Sequence, residues 1–172
     1  MEFRLLGPLE VVGEHGPLPL GGQKQRSLLA ALLLNVGHVV STDKLIDDLW
    51  GENPPRTAGT SLQNLVSHLR TLLGADAVET RPPGYVLHAK ADEFDLARFQ
   101  QLIRSVRGAR AQERAEKLRN ALALWRGPVL ADLAYEPFVQ SEAARLEEFR
   151  LAALEDRIDA DLAVGAGSRA CG

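Results

Sequence analysis

Residues Ser61 to Leu73, SLQNLVSHLRTLL, lie between a double proline at Pro54-Pro55 and the turn-like run Pro82-Pro83-Gly84-Tyr85. With successive residues 100° apart on a helix, Leu62, Leu65, Val66, Leu69, Leu72 and Leu73 collect on one side. The opposite side carries Thr57, Thr60, Asn64, Ser67 and Thr71, flanked by Arg56, Gln63, His68 and Arg70. These side chains hydrogen-bond to base edges and phosphates, and acid is nearly absent. A helix face that meets only water more often carries Glu and Lys four residues apart, as the later helices of this chain do. The pattern points to a helix that touches nucleic acid.

Upstream, Phe3-Leu5 and Leu9-Val11 alternate as short strands around Gly7-Pro8, and Leu18-Pro19-Leu20 reads as a third short run at a sheet edge. A helix is expected from Gln23 to Asn35 and a second after Ser41 or Thr42, with Leu45, Ile46, Leu49 and Trp50 as its buried stripe. Downstream, Val78 to His88 reads as a β-hairpin, with Pro83-Gly84 at the centre of a type II turn. Sheet, three helices and a hairpin in that order make a winged helix-turn-helix, in which the third helix enters the major groove and the wing touches backbone or minor groove. Beyond Asp92 the texture is helical only: Phe94 to Val106, Gln112 to Trp125, and a long helix opened by Pro137 and running towards Leu162. That last helix is apolar on two sides (Leu146, Phe149, Ala153; and Leu151, Leu154, Ile158, Leu162), so neighbours are expected on both. No exact internal repeat is found at the 34-residue period of tetratricopeptide motifs. The expected division is a winged domain over residues 1–90, a helical domain over 91–165 and a disordered tail over 166–172.

A length of 172 residues with 45% hydrophobic content fits one medium or two small domains. No apolar run approaches the roughly 20 residues of a membrane span, the start lacks the marks of a signal peptide, and a cytoplasmic location is expected. The single cysteine, Cys171, excludes an internal disulfide framework and a cysteine-based metal site. His15, His38, His68 and His88 are widely separated, so no metal or other cofactor is expected. Gly21-Gly22-Gln23-Lys24 lacks P-loop spacing, and no catalytic grouping is visible, so the chain does not read as an enzyme. The net charge of −3 counts against nucleic-acid binding, though the acids of Asp43, Asp47, Asp48 and Glu52 concentrate in one helix and leave room for a basic face elsewhere.

Several segments together resemble a known family. GGQKQRSLLAALLLN, STDKLIDDLWG, PPRTAGTSLQNLVSHLRTLLG and RPPGYVL resemble the DNA-binding domain of the Streptomyces antibiotic regulatory protein family. DEFDLARFQQLI, ALALWRGPVLADLA and EAARLEEFRLAALEDRIDADLAVG resemble that family's bacterial transcriptional activation domain. The resemblance covers about residues 1 to 165. It implies an OmpR-type winged helix with an N-terminal β-sheet and a C-terminal wing, followed by a tetratricopeptide-like helical domain that is partial here, because the family's helices usually continue. It also implies a transcriptional activator of a biosynthetic gene cluster, with two protomers on direct repeats of promoter DNA and contact with RNA polymerase.

Asn64 and Gln63 are the candidates for base contacts, since a side-chain amide pairs bidentately with adenine; the other reading is a solvated face. Thr57, Thr60, Ser67 and Thr71 suit phosphate or a thymine methyl, and Thr57 is equally an N-cap. Arg56 and His68 flank the face, His68 as a phosphate contact or a plain surface residue. Arg70 either reaches a phosphate or pairs with the acidic second helix. Arg81 suits a phosphate or the minor groove, while Tyr85 fits packing on the third helix. Lys24 and Arg26 open the first helix, where phosphate is favoured, or are simply solvated. The run Arg104, Arg107, Arg110, Arg114 faces a partner or water, with Glu113 and Glu116 as pairing candidates. A second functional reading is a protein-interaction module, with a groove between helices lined by Phe99, Trp125 and Phe138.

Overall fold

The helix α1 (Gln23–Leu34) explains why the two halves of the chain hold together. Every residue from Ser27 to Leu33 is buried. A helix apolar all round must be covered on all sides. In the computed structural model, which describes residues 1–170, α1 packs on one side against α2 (Thr42–Trp50), α3 (Ala58–Leu73) and β6 (Gly84–Leu87). On the other it meets a short 3-10 turn at Ala131–Leu133 and α6 (Pro137–Ala170). One continuous apolar core results, running from Leu45, Leu62 and Leu69 through Leu29 and Leu33 to Phe99, Leu133 and Leu146.

The winged half is a winged helix-turn-helix. Ser41 caps α2, its Oγ accepting the Lys44 N–H at 3.1 Å, with Asp43 in the first turn where the helix dipole favours a negative charge. The wing consists of β5 (Val78–Arg81) and β6, and a strand not anticipated from sequence, β4 (Val40–Ser41), pairs with β6 to give the order β4-β6-β5. The type II turn expected at Pro83-Gly84 is absent. Pro82 and Pro83, joined by a cis peptide, form the connection, and Gly84 already belongs to β6 without a positive φ. Gly84 is required for another reason: a Cβ there would lie 1.9 Å from the Val40 carbonyl oxygen across the sheet.

The N-terminal sheet is antiparallel, β1 (Glu2–Arg4), β2 (Glu10–Gly13) and β3 (Gly16–Pro17), with Phe3 opposite Val11. The third strand lies two residues before the expected run, because Pro19 has no N–H and pairing stops after Leu18 N donates to Val11 O. The helical half comprises α4 (Asp95–Ser105), α5 (Ala111–Leu122) and α6, with Phe99 and Trp125 edge-to-face at 5.3 Å in its core. Contrary to the expected disordered tail, α6 continues through Ala170; Cys171 and Gly172 lie outside the described residues. Of the two apolar sides of α6, Leu146 and Ala153 are buried while Phe149 on the same side stays exposed, as do Leu151, Leu154, Ile158 and Leu162 on the other, so among these residues only Leu146 and Ala153 are covered by neighbours within the described residues.

Hydrogen bonds lock the N-terminal segment between the two halves. The buried Asp95 carboxylate accepts the Leu5 N–H at 2.9 Å and the Leu6 N–H at 2.9 Å. Arg126 N donates to Leu6 O at 2.7 Å and Leu130 N to Leu5 O at 3.1 Å. Asp132 accepts the Leu9 N–H at 2.8 Å and also binds Arg26. Gly7, at φ +148°, passes so close to Arg126 that a Cβ would sit 2.9 Å from its Cβ. Burial pushes the Asp95 carboxyl above the ordinary carboxylate range, with the Leu5 and Leu6 N–H groups opposing that shift.

Candidate nucleic-acid interface

The side chains of α3 divide as the periodicity implies. Leu62, Val66, Leu69 and Leu73 are buried, and Thr60, Gln63, Asn64, Ser67, His68 and Thr71 are exposed. No acidic residue occurs from Ala58 to Leu73. Among the described residues the side chains of Arg56, Thr57, Thr60, Gln63, Asn64 and His68 have no hydrogen-bond partner, so their donors and acceptors face solvent unfilled. Thr57 stands at the N-cap position without its hydroxyl bonding the helix, which leaves that hydroxyl open as well. Thr71 differs: its Oγ1 donates back to Ser67 O at 3.1 Å.

The wing brings Arg81 to the hairpin tip, half-exposed and forked onto Glu79, with Nη2 at 3.0 and 2.9 Å from the two carboxylate oxygens. Glu79 also meets His88 Nε2 at 2.7 Å. The His88 and Arg81 contacts hold the Glu79 carboxyl below its ordinary range. Glu79 escaped the sequence reading, because a lone acid beside a turn gives no signal until pairing shows which cation it faces.

Three basic residues are engaged in ways the sequence did not indicate. Arg70 does not pair with the acidic α2. Its Nε donates to Val78 O and its Nη2 to Thr80 Oγ1, both at 2.8 Å, and its guanidinium lies over the Tyr85 ring. Lys24 donates to Leu49 O at the end of α2 and sits 5.6 Å from the Trp50 ring centroid. Arg26 pairs with Asp132 and donates to Leu9 O at 2.7 Å, which makes it a tie between the two halves and removes it from the open face. Lys24 and Arg26 are thus both engaged within the fold. Tyr85 is half-buried beneath Arg70, in agreement with a packing role.

In the helical half, Glu113 pairs with Lys117 and Arg114 with Asp156, so the arginine run is not matched by its sequence neighbours. The groove expected from Phe99, Trp125 and Phe138 is not formed: Phe99 and Trp125 are core residues. No helix of the described residues is long and apolar enough to cross a membrane. Among them no group of three metal-binding side chains converges.

Comparison with known proteins matches both halves separately. Residues 18–87 match the family model "Transcriptional regulatory protein, C terminal", and residues 94–172 match the "Bacterial transcriptional activator domain". The chain is 38% identical to the regulatory protein AfsR of Streptomyces coelicolor over 175 residues and 36% identical to DnrI of Streptomyces peucetius over 184. The chain belongs to the Streptomyces antibiotic regulatory protein family. It is also 37% identical over 178 residues to the transcriptional regulatory protein EmbR of Mycobacterium tuberculosis. The structure of that EmbR in complex with a low-affinity phosphopeptide superposes with a TM-score of 0.90 over 98% of this chain, at 36% identity. The alignments cover 98% of this chain but 46% of EmbR, 99% but 18% of AfsR, and 96% but 66% of DnrI. These relatives are regulators of transcription, not enzymes.

Proposed function

We propose that this chain reads promoter DNA through the outer face of α3 and its wing, and activates a biosynthetic gene cluster. The observation that carries the proposal is the acid-free face of α3, whose amide and hydroxyl groups are unfilled and stand beside a wing tipped by Arg81. Asn64 and Gln63 contact base edges, with Thr57, Thr60 and Ser67 on phosphate or a thymine methyl. Arg56, His68 and Arg81 supply charge or hydrogen bonds to the backbone, and Thr71 lies at the edge of the contact. Two protomers occupy direct repeats, and RNA polymerase is the protein partner, in the cytoplasm; these parts rest on family membership. The winged unit of residues 1–90 serves as the reader and the helices after it as the activating unit.

Fluorescence anisotropy with a promoter fragment from the adjoining biosynthetic operon and a scrambled control, at two salt concentrations, tests the reading. Tighter, salt-dependent binding to the promoter is expected. Asn64→Ala should lose about 1–3 kcal/mol on that fragment and little on the control. Equal losses on both would remove the base-reading assignment, and no binding to either at low salt would remove the proposal.

A further inference from the structure

We infer that Arg70 is a positioning residue: it clamps the wing to the last turn of α3 and fixes the angle at which the wing meets a duplex. Its guanidinium is engaged on three sides, by Val78 O and Thr80 Oγ1 at 2.8 Å each and by the Tyr85 ring, whose centroid is 6.0 Å away. Val78 and Thr80 are alternate residues of β5, and Tyr85 on β6 is the cross-strand partner of Thr80. One side chain thus holds both strands of the wing. β5 is the edge strand of its sheet, and Arg70 gives the Val78 carbonyl a donor from outside the ladder.

The arrangement depends on arginine. Two donors in a rigid plane reach two acceptors on one strand while the flat face covers an aromatic ring, which the single ammonium of lysine cannot do. The position in the last turn of α3 adds a favourable interaction with the helix dipole. The two hydrogen bonds and the ring hold the Arg70 plane against the wing, whereas Arg81, exposed at the tip, reaches phosphate without disturbing the frame. The consequence for recognition rests on the proposed DNA reading; the clamp itself does not.

The experiment therefore has a part without DNA. Amide hydrogen exchange is compared in the wild-type chain, Arg70→Gln and Arg70→Lys. Both variants should speed exchange about tenfold at the β5 and β6 amides while those of α1 hold their protection. Wing exchange unchanged in both would overturn the clamp, whatever the DNA result. Thr80→Val, which removes one acceptor and less of the packing, should shift the same amides by a smaller factor and covers the case in which Arg70→Gln fails to fold.

With promoter DNA, Arg70→Gln and Arg70→Lys should both weaken cognate binding about tenfold and flatten its salt dependence to the same extent, since both withdraw Arg81 from phosphate. Arg81→Ala should then cost less in the Arg70→Gln background than alone, because an unclamped wing no longer presents Arg81. Recovery of both binding and salt slope by Arg70→Lys, with the slope about one unit shallower in Arg70→Gln alone, would make Arg70 a phosphate contact and overturn the inference. A wild-type chain that binds no DNA would remove the proposed function, while the exchange data still decide the clamp.

Discussion

Along α6, Arg145 pairs with Glu142, Arg150 with Glu147 and Arg157 with Asp161, and α5 adds Arg114 to Asp156 and Arg119 to Asp161. Along α3 there is no acid at all, and the one cation in its last turn is turned into the wing. Both helices are long, amphipathic on at least one face and well exposed on another. Their outer faces nevertheless differ in kind: α6 pairs each of Arg145, Arg150 and Arg157 within the helical half, whereas α3 leaves amides and hydroxyls unfilled. Exposure is common to both, so open hydrogen-bonding capacity is what separates the face proposed to meet DNA from one that meets water.

Both helices belong to one frame, and Asp95 is where that frame is most vulnerable. Asp95→Ala leaves the Leu5 and Leu6 N–H groups buried without an acceptor. A loss of about 2–4 kcal/mol is expected, read from the urea midpoint at unchanged slope. A loss below about 0.5 kcal/mol would mean that the two halves do not depend on this carboxylate.

Giving α3 the habit of α6 tests the comparison directly. Ser67→Glu with Thr71→Lys installs an i,i+4 pair on the outer face, which stabilises an isolated helix by only about 0.2–0.5 kcal/mol. The melting temperature should therefore hardly move, while the new carboxylate beside phosphate should cost about 2–3 kcal/mol in DNA affinity. Unchanged affinity would show that this face of α3 is not the one DNA meets.

The reverse operation should do almost nothing. Arg145→Ala and Arg157→Ala each remove a half-exposed pair from α6. Each should change stability by less than about 0.5 kcal/mol and leave DNA binding as it was. A large effect of either on DNA affinity would place α6 in the interface and dissolve the distinction.

The two faces of α3, the buried stripe of α2 and the helical texture after Asp92 were legible because each follows from local periodicity. The outer face of α3 was readable for the same reason: which residues point away from the core is set by the 3.6-residue repeat alone. What the charged side chains do was not readable. Arg26 meets Asp132, Arg70 meets Val78 and Thr80, and Asp95 meets Leu5 and Leu6, partners separated by as few as 8 and as many as 106 positions. No sequence pattern ties such pairs, because they exist only after the core around α1 has brought both halves together. The wing turn failed for a related reason: Gly84 suggested a positive φ, yet it answers to the closeness of β4, a strand of two residues with no signal of its own.

Glu79 offers the finest test, since it is a charge pair of the α6 kind placed within the proposed interface. His88 and Arg81 lower its carboxyl below the ordinary glutamate value, so its contribution to the wing is complete above that value and is lost as pH falls through the depressed one. Amide shifts of Thr80, Arg81 and Gly84 should accordingly titrate below about pH 4.3, the unperturbed glutamate value, and cease to do so in Glu79→Gln. At neutral pH the same substitution releases Arg81 and removes an acid from the wing. Affinity for promoter and scrambled DNA alike should then rise, by about two- to fivefold at low salt. A rise confined to the promoter fragment would assign Glu79 to base discrimination, and a fall would mean that Glu79 holds Arg81 in the orientation DNA requires.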